Sequence, residues 1–549
     1  MGDRTRWRRP HWMVGDDRLV RIGPGTGGQE NHICPERDAA KAHPAVTLRV
    51  PSQLPDETLE TFTIGPVAEV LDLVEFGGAS PDQALGSLAV RKRPLHPAHR
   101  AYTEHAVRRY VAREESPGLV PVRPYWVVRR ENGLRWELYA WWRRYRSPDG
   151  SVREFRRLRH GGARSSTPGE IAIAAYAAAF GTESAWPRRW REEFRPTGRA
   201  SRPRRVRIVE VGLDDGSSVV QFEGTVEEAK AYYDAHGDPQ VRAVIQGGEA
   251  RPGSACAECK LFTGCAAVPR IPGVLAISAQ RAPLREVSAS ALRYHDVCPA
   301  QALLRRLHLP KEDEYTDAAK LGQAVHDWID RLHRRPGHPP CSVADMPPPG
   351  HNWTSGRWQV PDPDAEAGRA MLLHHVDACP FHDSALIEEV ESEAVRAVHD
   401  TAAQALVISK PDLLYREDGS WVWRELKTTR RTPRPDEDLL DRYPQLALAV
   451  TLLAEGALGG DPTGSRVEVE ILRPDGAHPH VIDPTDPERL ARARSVLRRL
   501  AGPWRDDRSW AARPGNHCRQ CPVSRWCPDS ATADTARAIS TVPAEEGAA

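Results

Sequence analysis

The chain has 549 residues, 40% hydrophobic and 28% charged, with a formal net charge of +1. That length exceeds one compact domain and calls for two to four. The negative mean hydropathy, the lack of an apolar run near the roughly 18 residues a spanning helix needs, and an N-terminus without a signal-peptide core exclude membrane insertion and predict a cytoplasmic location.

Taken in order, residues 1–33 form a polar, Gly- and Arg-rich segment. Helices are predicted at 64–71, 99–112 and 171–180, with strands at 125–129, 135–145 and 152–158. Residues 91–159 are rich in arginine interleaved with Tyr125, Trp126, Trp136, Tyr139, Trp141 and Trp142, and a second basic run covers 188–207. That mixture suits phosphate contact plus base stacking. A hairpin is expected from 205–211 and 218–222, then a helix over 226–236. Residues 269–285, with Pro269, Pro272, Gly273 and Pro283, read as a linker. Beyond it, Ser288 is placed to cap a helix. A helix follows at 320–329, a Pro-rich loop at 336–363, a helix at 365–376 and a strand at 386–395. After the hairpin described next, Gln445 leads a helix over 446–453, with a strand at 466–472 and a helix at 487–500. The tail, 531–549, is small, polar and predicted to be disordered.

Between residues 410 and 427 an apolar strand ends on an aspartate, a turn at Asp418-Gly419 reverses the chain, and a second strand ends in Glu425-Leu426-Lys427. Alternation along a strand puts Glu425 and Lys427 on one face and Leu426 on the other. In-register pairing brings Asp412 beside them. Two carboxylates and an ammonium at strand ends can hold a divalent metal beside a hydrolytic water. Many solvated hairpins carry such a pattern by chance, so its weight comes from the rest of the chain.

Ten cysteines in a chain expected to be cytosolic point away from disulfides. Cys256, Cys259 and Cys265 repeat the C-x2-C-x5-C spacing of Cys518, Cys521 and Cys527, and each trio follows a distant Cys-Pro pair, Cys34-Pro35 or Cys298-Pro299. Each set suits four thiolates around zinc or a [4Fe–4S] cluster, with the fold bringing in the distant ligand. Cys341 and Cys379 fit neither set and read as ordinary thiols. Other landmarks recur in order: Gly65 and Gly322, the Asp149-Gly150 and Asp418-Gly419 turns, and Val206-Arg207-Ile208 and Val467-Glu468-Val469. The chain therefore reads as two diverged copies of one domain. Counted from the turns, Asp412 corresponds to Arg143, Glu425 to Arg156 and Lys427 to Leu158, with Glu154 a stand-in after a small slip; counted from the glycines, His326 corresponds to Glu69. Arginine binds phosphate rather than a metal cation, so the first copy reads as non-catalytic but able to grip nucleic acid.

The second half resembles the RecB-type PD-(D/E)XK nucleases, in particular their iron–sulfur branch (AddB-like and CRISPR-associated RecB-like). The likeness rests on the opening helix with Cys298-Pro299, the Gly322-to-His326 helix, Asp412, Glu425 and Lys427, Gln445, and the closing cysteines. Ala449 departs from it, standing where the family carries Tyr after Gln. The resemblance, which covers about residues 286–530, implies a restriction-endonuclease-like α/β core, a mixed central sheet flanked by helices; with the internal repeat this gives two tandem copies, a degenerate one at 34–268 and a catalytic one at 286–530. It implies Mg²⁺ or Mn²⁺ on Asp412, Glu425 and His326, completed by the Leu426 carbonyl, with Lys427 orienting water and Gln445 positioning the substrate backbone. It further implies a structural [4Fe–4S] cluster on Cys298, Cys518, Cys521 and Cys527, and a second on Cys34, Cys256, Cys259 and Cys265, zinc being the alternative. The expected activity is metal-dependent, exonucleolytic hydrolysis of single- or double-stranded DNA. With no Walker A motif in the chain, a helicase would be a separate partner in a repair or defence complex. The alternative is a non-catalytic nucleic-acid-binding or scaffold protein with zinc-stapled domains.

Overall fold

The computed structural model describes residues 6–26, 34–49, 58–113, 118–198, 201–312, 316–382, 387–431, 434 and 437–530. The tail expected to be disordered, 531–549, lies outside the described residues. The chain is a mixed α/β structure in which two five-stranded sheets share one order of directions. The first comprises β1 (Val120–Pro121), β2 (Arg143–Arg146), β3 (Val152–Arg159), β4 (Arg205–Gly212) and β5 (Ser218–Thr225). The second comprises β6 (Ile387–Ser392), β7 (Leu413–Glu417), β8 (Ser420–Thr428), β9 (Arg466–Arg473) and β10 (Gly476–Ile482). In each, successive neighbours run antiparallel, antiparallel, parallel and antiparallel. The helices used below are α1 (Gly65–Gly77), α2 (Pro168–Phe180), α3 (Asp317–His333), α4 (Asp364–Ala378), α5 (Pro444–Ala454) and α6 (Pro487–Asp506). The parallel step is bridged by α2 in one sheet and α5 in the other, the crossover such a step requires. Both helices are apolar nearly all round and buried, as a helix must be when it has no face for water.

Alternation on the central strand β8 sorts the core. Trp421 and Trp423 join a cluster with residues of α5 and α6, whereas Val422 and Leu426 join one with residues of α3 and α4. Gly322 lets α3 approach β8, since a Cβ there would lie 2.6 Å from Thr428 Oγ1. The two halves share the first cluster: Tyr102 and Val107 are buried in it with Leu303 and Leu304, and His96 Nε2 lies 3.1 Å from the Trp510 carbonyl.

The structure departs from the sequence expectations in several places, among them the stretch 336–363, where Trp353–Ser355 pairs with Trp358–Val360. Residues 135–145 form not one strand but two: Arg135–Leu138 pairs with Tyr125–Glu131 in a separate sheet, and β2 pairs with β3. The chain changes sheets through buried Tyr139, Ala140 and Trp142, a switch that strand propensity does not register. The polar N-terminal segment contains the buried strand Leu19–Ile22, paired with Arg135–Leu138. Residues 269–285 are not a free linker. Arg270–Ile271 pairs with His399 and Asp400, and the Asp400 carboxylate accepts from Gly273 N (2.9 Å) and Leu275 N (2.8 Å). Finally, Trp126, Trp136, Tyr139 and Trp142 are at most 9% exposed, so these four are core residues and not stacking platforms. No helix among the described residues is long and apolar enough to cross a membrane.

Burial also sets an acid sensitivity. His43 is 1% exposed, with Nδ1 2.6 Å from the Ala39 carbonyl, and burial pulls its imidazole down to about 4. Because the folded value lies below the unfolded one, about 6.5, His43 stays neutral while the unfolded chain takes up a proton. Its contribution is complete above pH 6.5 and is lost as pH falls towards 4, at about 1.4 kcal/mol per pH unit. Urea unfolding at pH 7 and pH 5 is expected to show a loss about 2 kcal/mol smaller in His43→Phe than in the parent; equal losses would refute this account.

Candidate active site

Asp412 immediately precedes β7, and Glu425 and Lys427 lie near the end of β8. The ladder pairs Leu413 with Arg424, which sets Asp412 across from Glu425. The Asp412 Oδ2 accepts the Leu426 N–H at 2.7 Å. Lys427 Nζ donates to Glu425 Oε2 and to the Leu426 carbonyl, both at 2.8 Å, and lies 3.5 Å from Asp412 Oδ2. The Trp423 indole N–H holds the other Glu425 oxygen at 3.0 Å. From α3, His326 Nδ1 lies 3.3 Å from Asp412 Oδ1. The predicted carboxylates, ammonium and imidazole are therefore brought together. Gln445, the second residue of α5, is half-buried, and among the described residues no hydrogen bond joins it to the group.

Sequence reasoning missed Glu393. It follows β6 in a left-handed backbone conformation (φ 55°), and its N–H donates to the Asp412 carbonyl at 3.2 Å. Lys410 pairs with its carboxylate. The donor atoms of His326, Glu393 and Asp412 lie within 4.8 Å of one another, an imidazole and two carboxylates suited to Mg²⁺ or Mn²⁺. Glu425 instead directs both oxygens at Lys427 and Trp423. The only local signal for Glu393 is an acid at a strand end, and which side of the fold it serves depends on the β6–β7 pairing.

The electrostatics separate the acids. Burial disfavours the charged Asp412, yet Lys427, His326 and the Leu426 N–H more than offset this and hold its carboxyl well below the usual carboxylate range. Burial, with Asp412 adding repulsion, pushes Glu425 up against the pull of Lys427. Lys427 is raised: burial opposes its charge, but Glu425 and Asp412 outweigh it, so it remains an ammonium.

The corresponding place in the first half has opposite polarity. Arg143 pairs with Arg156 across β2–β3, in the register that sets Asp412 opposite Glu425. Along the next strand, Val209 lies beside Arg156 as Val469 lies beside Glu425, one residue from the match read from sequence. Arg143 binds Glu75 and Asp72 of α1, and Arg156 binds Glu154. These guanidiniums are engaged by carboxylates of the chain itself. Glu69 is paired with Arg91.

Cys298, Cys518, Cys521 and Cys527 line one small cavity. Backbone N–H groups of Arg513 and Gly515 donate to Cys298 and Cys518 sulfurs, both at 3.4 Å. In the first half the N–H groups of Arg251 and Gly253 donate to Cys34 (3.3 Å) and Cys256 (3.4 Å). In both trios the first cysteine lies in a short 3-10 turn and the other two follow such turns.

Residues 286–528 match the family described as the PD-(D/E)XK nuclease superfamily. A solved protein titled "Crystal structure of SSO0001" matches 25% of this chain over 60% of its own length, at 19% identity and a TM-score of 0.17; the chain thus spans about three fifths of that protein. No curated protein matches.

Proposed function

With residues 286–528 a PD-(D/E)XK nuclease superfamily domain, we propose that this chain is a divalent-metal-dependent DNA nuclease of the RecB-like type, cutting as an exonuclease. The observation that carries the reading is the convergence of Asp412, Glu425, Lys427 and His326 at the ends of β7 and β8 and on α3. Asp412, His326 and Glu393, with Glu425 beside them, would hold Mg²⁺ or Mn²⁺, which when bound supplies Lewis acidity at the phosphodiester. Lys427, kept as an ammonium, donates a hydrogen bond to the attacking water and counters charge developing on the phosphate; it is no base. Glu425, raised by burial, is the better proton acceptor of the two acids. The test is degradation of linear and covalently closed circular DNA of both strandednesses with Mn²⁺ or Mg²⁺. Metal-dependent loss of linear DNA alone is expected. Cutting of closed circles would make the enzyme an endonuclease, and no cutting under any condition would refute the nuclease reading.

The matching strand directions of the two sheets and the matching turns around the cysteines support a first half that is a diverged, non-catalytic copy, its metal replaced by arginine–carboxylate pairs. The four thiols of the second half are proposed to hold a [4Fe–4S] cluster. Among the described residues, no three of their sulfurs come within 4.8 Å of one another, and a cluster holds its thiolates farther apart than a single zinc ion does. Anaerobically purified protein is expected to be coloured and to contain iron; colourless, iron-free protein would overturn the assignment.

For nucleic-acid contact, the second basic run supplies an exposed pair of stacked tryptophans. Trp186 and Trp190 are 44% and 42% exposed and stack at 5.3 Å, and Arg188, Arg189, Arg191 and Arg195 around them are exposed. Replacing both tryptophans with alanine is expected to weaken binding of single-stranded DNA by about 1–3 kcal/mol per stacked base. Fluorescence titration at two salt concentrations measures this; unchanged affinity would remove the patch from the interface.

A further inference from the structure

Cys341 and Cys379, ordinary thiols by sequence, are brought together with two histidines beneath the candidate active site. His333 ends α3, Cys341 lies in the loop beyond it, His375 lies in the last turn of α4, and Cys379 caps that helix. All four are at most 4% exposed, and one donor atom from each lies within 4.8 Å of the others. His333 Nε2 and His375 Nε2 are 3.2 Å apart, and Cys379 Sγ is 4.0 Å from His333 Nε2. A tetrahedral zinc site with Zn–N of about 2.0–2.1 Å and Zn–S of about 2.3 Å has edges of about 3.4 Å between nitrogens and about 3.6 Å between nitrogen and sulfur. The observed separations lie close to these.

We propose that His333, Cys341, His375 and Cys379 form a closed, structural zinc site. The residues around it fit that role. The His375 Nδ1 lies 2.9 Å from Glu470 Oε1, so a proton on Nδ1 is held by the carboxylate and the Nε2 lone pair is left facing His333 and Cys379. This is the outer carboxylate that orients metal-ligating histidines. Arg424 in turn holds the other Glu470 oxygen at 2.7 Å. Without a metal, the 3.2 Å contact between the two Nε2 atoms is bridged by a proton that His333 carries on Nε2. Zinc binding releases the two thiol protons and shifts the His333 proton to Nδ1, leaving two thiolates and two neutral imidazoles around the ion.

The site lies one layer beneath the catalytic residues. His326 and His333 are seven residues, about two turns, apart on one face of α3, and both line the cavity that also contains Asp412, Leu426 and Glu470. Zinc here would pin α3, which carries His326, to α4 and to the sheet that carries Glu425. This inference stands on the tetrad alone and is independent of the nuclease reading.

The test is made on the full chain. Elemental analysis of the purified protein is expected to show one zinc fewer per chain in Cys341→Ser/Cys379→Ser than in the parent, whereas His333→Cys, which keeps four ligands, retains it. In the unmodified protein, pulse alkylation with peptide mapping is expected to find Cys341 and Cys379 protected until a strong chelator removes zinc, and then labelled severalfold faster. Unchanged zinc in the serine variant, alkylation of both thiols independent of the chelator, or recovery of the two as a disulfide would each overturn the proposal. If the serine variant does not fold, the alkylation experiment alone decides.

Discussion

Asp412→Asn is expected to lower metal-dependent DNA cleavage by about 10²–10³-fold and to raise the metal concentration needed for half-maximal rate. Asparagine keeps an oxygen to accept the Leu426 N–H that Asp412 binds at 2.7 Å, so the backbone arrangement at the end of β8 is retained. What disappears is the negative charge between His326 and Lys427. Lys427→Met separates the roles further. It removes the ammonium shared by Glu425 (2.8 Å) and Asp412 (3.5 Å) while roughly preserving volume. Its rate is expected to fall by a similar factor without weaker metal binding, because a cation competing for the same carboxylates has gone. Steady-state cleavage measured across a Mn²⁺ titration distinguishes the two signatures. Wild-type rates in either variant would remove that residue from the chemistry.

Arg424→Met is expected to destabilise the second half by about 3–5 kcal/mol, a fall of roughly 6–20 °C in Tm for a domain of this size. The Arg424 side chain is 11% exposed and donates to Glu468 at 2.8 Å, Glu470 at 2.7 Å and the Ala378 carbonyl at 2.5 Å. Glu470 is 2% exposed, so losing the guanidinium strands a buried carboxylate that, among the described residues, is left with His375 to meet it. Glu468 is better protected, since Arg466 also reaches it at 2.7 Å. The control is Arg416→Met, whose pair with Glu389 is half-exposed and contributes less than about 1 kcal/mol. Thermal unfolding monitored by circular dichroism compares them, and a shift for Arg424→Met no larger than the control's would contradict this account of the interior.

Much of the candidate site could be read locally. The Asp418-Gly419 turn, with φ of 48° and 75°, sets the hairpin register from two residues, and register with strand alternation determines which side chains meet. Helix ends were legible for the same reason: Ser288 Oγ accepts the Ala291 N–H at 3.2 Å, a cap formed over three residues. The long cysteine spacings were legible because one pattern occurs twice. The aromatic–arginine stretch misled because composition does not say which face of a strand is covered: Trp126 and Trp142 are buried, while Trp186 and Trp190 remain exposed.

The hairpin triad and the cysteine trios therefore follow from the chain itself, because each depends on turn chemistry, on strand period, or on spacing within a few residues, whereas His326 was indicated by the family resemblance. Glu393, the Arg424–Glu470–His375 chain and the tetrad of His333, Cys341, His375 and Cys379 were decided only by the tertiary structure. Their members lie on different elements, joined by the pairing of β6 with β7, by the packing of α3 and α4 on the sheet, and by the parallel step from β8 to β9. Nothing within any one segment encodes the distance to the others.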